Sequence, residues 1–316
     1  MRSWRVMCCA VAMVLAAGGL QAVVRAVAQE SNREGGLLES RESIYNNIFI
    51  FGDKENVTMT FGHNKRYYTE SSMRLSDPGL LTVDYTRYMT LGVAYPPKVE
   101  RIVEVGLGGG RTVSYLKGAM PDTAILTVEI DKDVVELAKK YFKFTETATM
   151  RAVVADGRSY LMRDSQKWDV IMIDAYRGPF VPFHLLTREF YTLVKSRLNP
   201  GGVVVQNIEP STMLFDSATA TLRSVFPSVD LYDGGGNVVA VGYEGPSLPQ
   251  PELLARAAKA QERYQFRHDL RTLAAQRRVL ARPTGKILTD DFAPVETMRA
   301  IEKNNEKWKE QTEVPR

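Results

Sequence analysis

Cysteine is nearly absent from this 316-residue chain, and the two that occur, Cys8 and Cys9, lie side by side near the N-terminus. Both fall inside a segment with the three parts of a secretory leader. Arg2 and Arg5 precede an apolar run from Val6 to Leu20, and Ala26-Val27-Ala28 supplies an A-x-A cleavage site. A chain cleaved there keeps no cysteine, which excludes disulfides and thiolate chemistry. Histidine is scarce as well: His63, His184 and His268 stand apart, with no metal-ligand spacing, so no metal is expected. A strong charge of one sign is also missing. The formal charge of +4 falls to +1 once Arg2, Arg5 and Arg25 leave with the leader, and nothing in that balance calls for nucleic acid. The apolar run is short for a bilayer span and holds Gly18 and Gly19. The expectation is an exported protein, periplasmic or secreted, with residues 1–28 as signal peptide and no membrane span after cleavage.

What remains has ordinary globular composition, with 44% apolar and 25% charged residues, and no internal repeat. Residues 29–97 read as a small N-terminal β domain. Its first stretch, 29–42, is polar and expected to be flexible; alternation over 43–69 then predicts two or three antiparallel strands. A helix is predicted over 85–95, stopped by Pro96-Pro97. Residues 98–245 alternate strand and helix, with strands expected at 101–105, 124–129, 150–154, 168–174, 202–207 and 238–242. That rhythm predicts a parallel, doubly wound α/β sheet, with the clearest helix over 187–198. Residues 246–316 read as a helical extension: one charged amphipathic helix over 251–278, a loop at 288–296, and a last helix.

The chemistry sits at strand ends, where ligands bind in such sheets. Glu104, Gly106, Gly108 and Gly110 spell E-x-G-x-G-x-G, and Glu129 follows 19 residues after Gly110 at the tip of the next strand. Glycines let backbone approach a ligand, and a strand-end carboxylate can accept from both ribose hydroxyls. A dinucleotide fingerprint would place its third glycine where Arg111 stands. The pattern therefore fits a class I S-adenosylmethionine-type nucleoside site. Asp156-Gly157 and Asp174-Ala175-Tyr176 mark further strand tips, the first suited to an adenine amino group, the second to the reacting end. A strand-end Asp is also a common helix cap. His184, just before the helix that Thr187 starts, is read as structural.

Several segments resemble the spermidine synthase (polyamine aminopropyltransferase) family, in its divergent spermidine synthase-like branch. They are Ser43-Ile-Tyr-Asn46, the glycine turn, Val128-Glu-Ile-Asp-Lys-Asp-Val-Val135, Asp156-Gly157, Trp168-Asp-Val-Ile-Met-Ile-Asp-Ala-Tyr176 and His184-Leu-Leu-Thr-Arg-Glu-Phe190. The resemblance implies a small N-terminal β domain packed on a Rossmann-like, class I methyltransferase-type domain. It also implies transfer of an aminopropyl group from decarboxylated S-adenosylmethionine to an amine, leaving methylthioadenosine, in a protein that is often oligomeric. By resemblance Glu129 holds ribose, Asp156 the adenine, Asn46 stands for a nucleoside-binding Gln, and Asp174 is the first loop carboxylate. Asp174 and Tyr176 are then the catalytic candidates. Asn46, Gly106, Gly108, Gly110, Glu129, Asp156 and Gly157 are the candidates for binding the nucleoside co-substrate, S-adenosylmethionine or its decarboxylated form.

The chain departs from the family where the amine would bind. The second loop carboxylate is Arg177, the Asp of the glycine turn is Gly109, a neighbouring glycine is Arg111, and Tyr-His-Glu is Tyr85-Thr86-Arg87. These changes predict a neutral or anionic acceptor, or a nucleoside carboxylate met by Arg111 or Arg177. They also leave open a small-molecule methyltransferase and an exported, non-catalytic nucleoside- or polyamine-binding protein. Asp290-Asp291 has no role in any of these readings.

Overall fold

The computed structural model describes residues 36–63, 66–178, 180–212, 214–280 and 284–291. The expected leader and the last expected helix lie outside them. Strands β1 (Gly36–Glu42), β2 (Asn47–Gly52), β3 (Asn56–His63) and β4 (Arg66–Arg74) form an antiparallel meander in chain order. Its inner face follows the alternation of the sequence: Ile48, Ile50, Val57, Met59, Phe61 and Met73 are buried, as period-two spacing dictates. On the other face Tyr67 meets Phe49 and Phe51 edge-on, with ring centroids 4.9 and 5.6 Å apart.

For residues 36–42 the first strand corrects the expectation of a flexible start; 29–35 lie outside the described residues. β1 has little apolar alternation, and charge pairing supports its position. Arg41 donates to Asp133 and Glu136, each at 2.7 Å, while Lys140 and Tyr141 donate to Glu39 at 2.6 and 2.8 Å. A second departure is a bulge. Thr60 pairs with Thr69 but Met59 pairs with Ser71, so Glu70 has no partner across the ladder. Bulges of this kind re-aim a side chain.

The main sheet contains β5 (Arg101–Val105), β6 (Ala124–Glu129), β7 (Met150–Val154), β8 (Trp168–Ile173), β9 (Leu198–Ile208), β10 (Ser228–Asp233), β11 (Val238–Tyr243) and β12 (Arg278–Val279). Their order is β12-β10-β11-β9-β8-β5-β6-β7. Strands β5 to β9 run parallel, whereas β9-β11, β11-β10 and β10-β12 are antiparallel. The sheet is therefore mixed rather than parallel throughout. The unforeseen strand β10 turns back through Gly234-Gly235-Gly236, where φ of +73° and +122° at the last two glycines permits a tight reversal. Strand β5 lies between β6 and β8, so the chain order reverses there and opens a crevice at the carboxyl ends.

Helices α1 (Asp84–Met89), α2 (Arg111–Ala119), α3 (Lys132–Tyr141), α4 (Gly157–Arg163), α5 (Arg188–Ser196), α6 (Phe215–Val225), α7 (Gln250–Tyr264) and α8 (Leu270–Ala274) complete the described elements. The helix predicted over 85–95 is α1 followed by a 3₁₀ segment, Thr90–Ala94. A Cβ on Gly92 would come within 2.6 Å of Val205, so glycine lets this segment lie directly on the sheet. The single helix expected over 251–278 is instead α7 and α8, and β12 follows. Gln265 takes a left-handed φ of +53° that ends the first, and Asp269 caps the second. Apolar side chains of β5 alternate between two cores, with Ile102 on one side of the sheet and Val103 and Val105 on the other. Among the described residues no helix is long and apolar enough to cross a membrane.

Candidate functional site

The glycine turn is held from three sides. Gly106 N–H donates to Val128 O at 2.9 Å, and Asp174 N–H donates to Val105 O at 2.8 Å. A Cβ on Gly106 would lie 2.1 Å from the Asp174 carbonyl oxygen, and its φ is +96°. Only glycine lets β5 and β8 close at their ends. Gly106→Ala should therefore cost about 2–4 kcal/mol of stability, read as a lowered denaturant midpoint. From the third side Gly109 N–H donates to Ser71 Oγ at 2.7 Å, tying the N-terminal sheet to the turn. Gly108 and Gly110 have φ of +51° and +65° and carry the chain into α2.

Glu129, at the tip of β6, lines the cavity beside the glycine turn. Its Oε2 accepts from Leu107 N–H and its Oε1 from Asp131 N–H, both at 2.9 Å. Burial pushes its pKa up to about 7, against the downward pull of those backbone donors. Asp131 caps α3 and accepts from Ser43 Oγ at 2.5 Å, while the same hydroxyl accepts from Asn46 N–H at 2.9 Å. The turn that carries Asn46 is thus fastened to the strand tip that carries Glu129. At the tip of β7 Asp156 is both helix cap and cavity wall. Its Oδ1 accepts from Ser159 N–H at 2.7 Å, and its Oδ2 lies 3.1 Å from His184 Nε2. Burial works to raise the Asp156 pKa, but these hydrogen bonds outweigh it and the net shift is downward. A Cβ on Gly157 would be 2.3 Å from Val105 Cγ1, so this helix starts hard against β5.

These groups line one cavity of about 450 Å³. Asn46, Gly106, Gly108, Glu129, Asp156, Gly157, Asp174 and Tyr176 all face it; of the expected residues, Gly110 does not, and its place is in the turn behind. Asp174 ends a polar chain. Its Oδ2 accepts from Tyr85 OH at 3.2 Å and its Oδ1 from Asn207 Nδ2 at 2.8 Å. Asn237 Nδ2 then donates to Asn207 Oδ1 at 2.8 Å and to Tyr176 OH at 3.4 Å. Burial raises the Asp174 pKa despite its donors, and it raises the Tyr85 and Tyr176 phenols further still. Tyr176 is therefore a neutral hydroxyl at the wall.

Both arginines line the cavity, and Arg111 corrects the expectation built on it. Arg111 is buried, and its guanidinium donates to two backbone carbonyls, Phe142 O at 2.8 Å and Pro78 O. It clamps α2 to the chain after β4 and to the end of α3. Arg177 is exposed at the rim, its backbone paired with Phe180. A Cβ on Gly109 would press on the Phe142 ring at 2.7 Å and on Ser71 Cβ at 2.9 Å, so no Asp fits there without repacking.

A further acid lines the cavity: Glu70, turned out of register by the β4 bulge, sits beside the glycine turn. A Cβ on Gly108 would lie 3.6 Å from Glu70 O. Burial raises the Glu70 pKa well above the usual range, and the charges of Asp174 and Glu129 raise it further. Behind the turn Glu104 is buried and raised for the same reasons, with Oε2 unpartnered among the described residues. Sequence reasoning missed Glu70 because a bulge leaves no mark on alternation. It also missed Asn207 and Asn237, whose strand-end amides gain meaning only once β11 pairs with β9. Among the described residues no group of three or more His, Cys, Asp and Glu side chains could hold a metal ion.

Residues 96–233 match the family model of the spermine/spermidine synthase domain. The polyamine aminopropyltransferase of Vibrio vulnificus is 32% identical over 237 residues, spanning 71% of this chain and 77% of that protein. Human methyltransferase-like protein 13, solved with SAH, superposes with a TM-score of 0.53 at 28% identity, over 68% of this chain and 99% of that one. A spermidine synthase solved with the transition state analogue AdoDATO gives a TM-score of 0.61 at 21% identity, over 76% and 84% of the two chains. At that identity the second structural likeness speaks for the fold alone.

Proposed function

The chain belongs to the spermine/spermidine synthase family, and on that premise we propose that it transfers an aminopropyl group from decarboxylated S-adenosylmethionine to a cationic amine. The observation that carries this reading is the convergence of Glu70, Glu129 and Asp174 on one cavity over the glycine turn. Glu129 accepts from the ribose hydroxyls, Asp156 from the adenine amino group, and the turn Gly106–Gly110 passes under the aminopropyl tail. Asp174 and Tyr85 receive the attacking amine. Its neutral nitrogen forms a bond to the methylene carbon next to the sulfonium, the carbon–sulfur bond breaks, and the electron pair stays on sulfur as a thioether. The new secondary ammonium then loses a proton to Asp174 or to water. An amine attacks only when neutral, so a carboxylate of raised pKa is suited to accept that proton.

Glu70 supports a cationic acceptor and a decarboxylated donor. A cationic tail beside Glu70 would draw off the proton that burial holds there and gain an ion pair, whereas a donor carboxylate beside it would hold that proton on. Calorimetric titration of the full chain with methylthioadenosine, S-adenosylmethionine and its decarboxylated form tests the donor. Methylthioadenosine release with a diamine tests the reaction. Glu70→Gln should narrow the gap between the two sulfonium donors by at least about tenfold. A gap unchanged in that variant would remove Glu70 from donor choice. Arg177 at the place of the second loop carboxylate favours one alternative, a protein that binds nucleoside without turnover; tight binding with no product from any diamine would establish it. We also propose export, on the leader-like residues 1–28. A reporter active only outside the cytoplasm, fused after Ala28, tests that.

A further inference from the structure

The Asp290 carboxylate lies far along the chain from the cavity, yet its hydrogen bonds lead there. Arg158, the second residue of α4, follows directly on Asp156-Gly157. Its Nη1 donates to Asp290 Oδ1 at 2.8 Å and its Nη2 to Asp290 Oδ2, a two-pronged pair. The same Nη1 donates to His184 O at 3.0 Å and to Thr187 Oγ1 at 3.3 Å. His184 belongs to a single 3₁₀ turn, Phe183–Leu185, whose residues line the cavity, and its ring meets Asp156. A turn this short has little rigidity of its own.

The segment carrying Asp290 is fastened across two helices. Arg188 N–H donates to Leu288 O and Leu288 N–H to Thr221 Oγ1, both at 2.8 Å, and Asp290 N–H donates to Glu189 Oε2 at 3.0 Å. Leu288 is buried in the core beneath. The segment is thus an anchored strap, and Asp290 is the point where it grips Arg158.

We propose that Asp290 and Arg158 are positioning residues through which the C-terminal strap holds the His184 turn against Asp156 and so sets selectivity for the nucleobase. Neither residue touches the ligand. Their pair orients the guanidinium, the guanidinium holds the His184 carbonyl, and the turn presents His184 to the carboxylate that accepts from an adenine amino group. This rests on the reading of Asp156 as the adenine contact.

The test compares methylthioadenosine with methylthioinosine, which carries an oxo group in place of the amino group. The full chain should prefer the adenosine. Asp290→Ala and Arg158→Asp should each shrink that preference by roughly three- to tenfold, with a smaller change in unfolding midpoint. The exchanged double variant, Arg158→Asp with Asp290→Arg, should recover part of it. A purely structural pair would weaken both ligands equally, leave the ratio unchanged, and overturn the proposal. Failure of the unaltered chain to bind methylthioadenosine would remove the underlying site reading instead. The two failures are distinguishable in one titration series.

Discussion

Asp174→Asn is expected to give a folded protein, more stable than the parent near pH 8, that forms product roughly 10²- to 10⁴-fold more slowly. Asp174 is half-buried at the end of β8, and burial raises its pKa. The folded state therefore holds its proton more tightly than the unfolded chain does. Stability from that difference is present in full below the unfolded pKa and is lost as pH rises through the folded one. An amide does not titrate, so the variant escapes that loss at alkaline pH. Its second effect runs the other way. The parent carboxylate accepts from Tyr85 OH at 3.2 Å and from Asn207 Nδ2 at 2.8 Å. An amide accepts through one atom only, so its NH₂ must face Tyr85 or Asn207, and it cannot take a proton from an ammonium product. A variant that melted higher and turned over normally would show that Asp174 is neither base nor orienting group. Loss of fold would contradict the stability argument instead. Unfolding midpoints at pH 6 and 8, read beside initial rates, separate these outcomes.

The parts of this site that were legible in the sequence share a property: the same residues set both the element and the chemistry. The turn Gly106–Gly110, Glu129 and Asp174 each follow an apolar, buried strand, and Asp156 follows the edge strand β7, so placing the strands placed the tips. Glu70 breaks that rule. Its side chain reaches the cavity because β4 slips by one residue against β3, and a slip is a property of the pair of strands, not of either one. Arg111 fails differently. A cation beside a ligand turn reads as a ligand contact, and only the fold shows that the carbonyls of Phe142 and Pro78 take its two terminal nitrogens. The antiparallel edge of the main sheet was hidden for a third reason: β10 and β11 are consecutive buried strands joined by glycines, and periodicity carries no strand direction. Asp290 was visible as a residue and unreadable as a role, since its partner lies 132 positions away.

The largest effect on binding should come from Glu129→Ala, with methylthioadenosine affinity reduced by roughly 10²- to 10⁴-fold in calorimetric titration. Hydrogen bonds to a charged group are worth about 1.5–3 kcal/mol each, and a ribose offers two. The parent carboxylate is already engaged by Leu107 N–H and Asp131 N–H, which fix its plane and leave further lone pairs for the cavity. The pKa of about 7 then makes binding depend on pH. Ribose hydroxyls donate best to the ionised form, so the ligand lowers that pKa and binding expels a proton wherever Glu129 starts protonated. Affinity should be flat above about pH 8 and fall toward tenfold per unit well below pH 7. Titrations at pH 6 in buffers of different ionisation enthalpy should report close to one proton released, and at pH 8.5 close to none. The same shift has the opposite sign for the free protein. Its folded state carries the extra proton, so this contribution to stability is complete below about 4.5 and gone above about 7. Ligand and proton thus compete for one carboxylate, and raising the pH should weaken the free fold while strengthening the complex. Affinity independent of pH between 6 and 8.5 would mean that the ribose hydroxyls bind elsewhere.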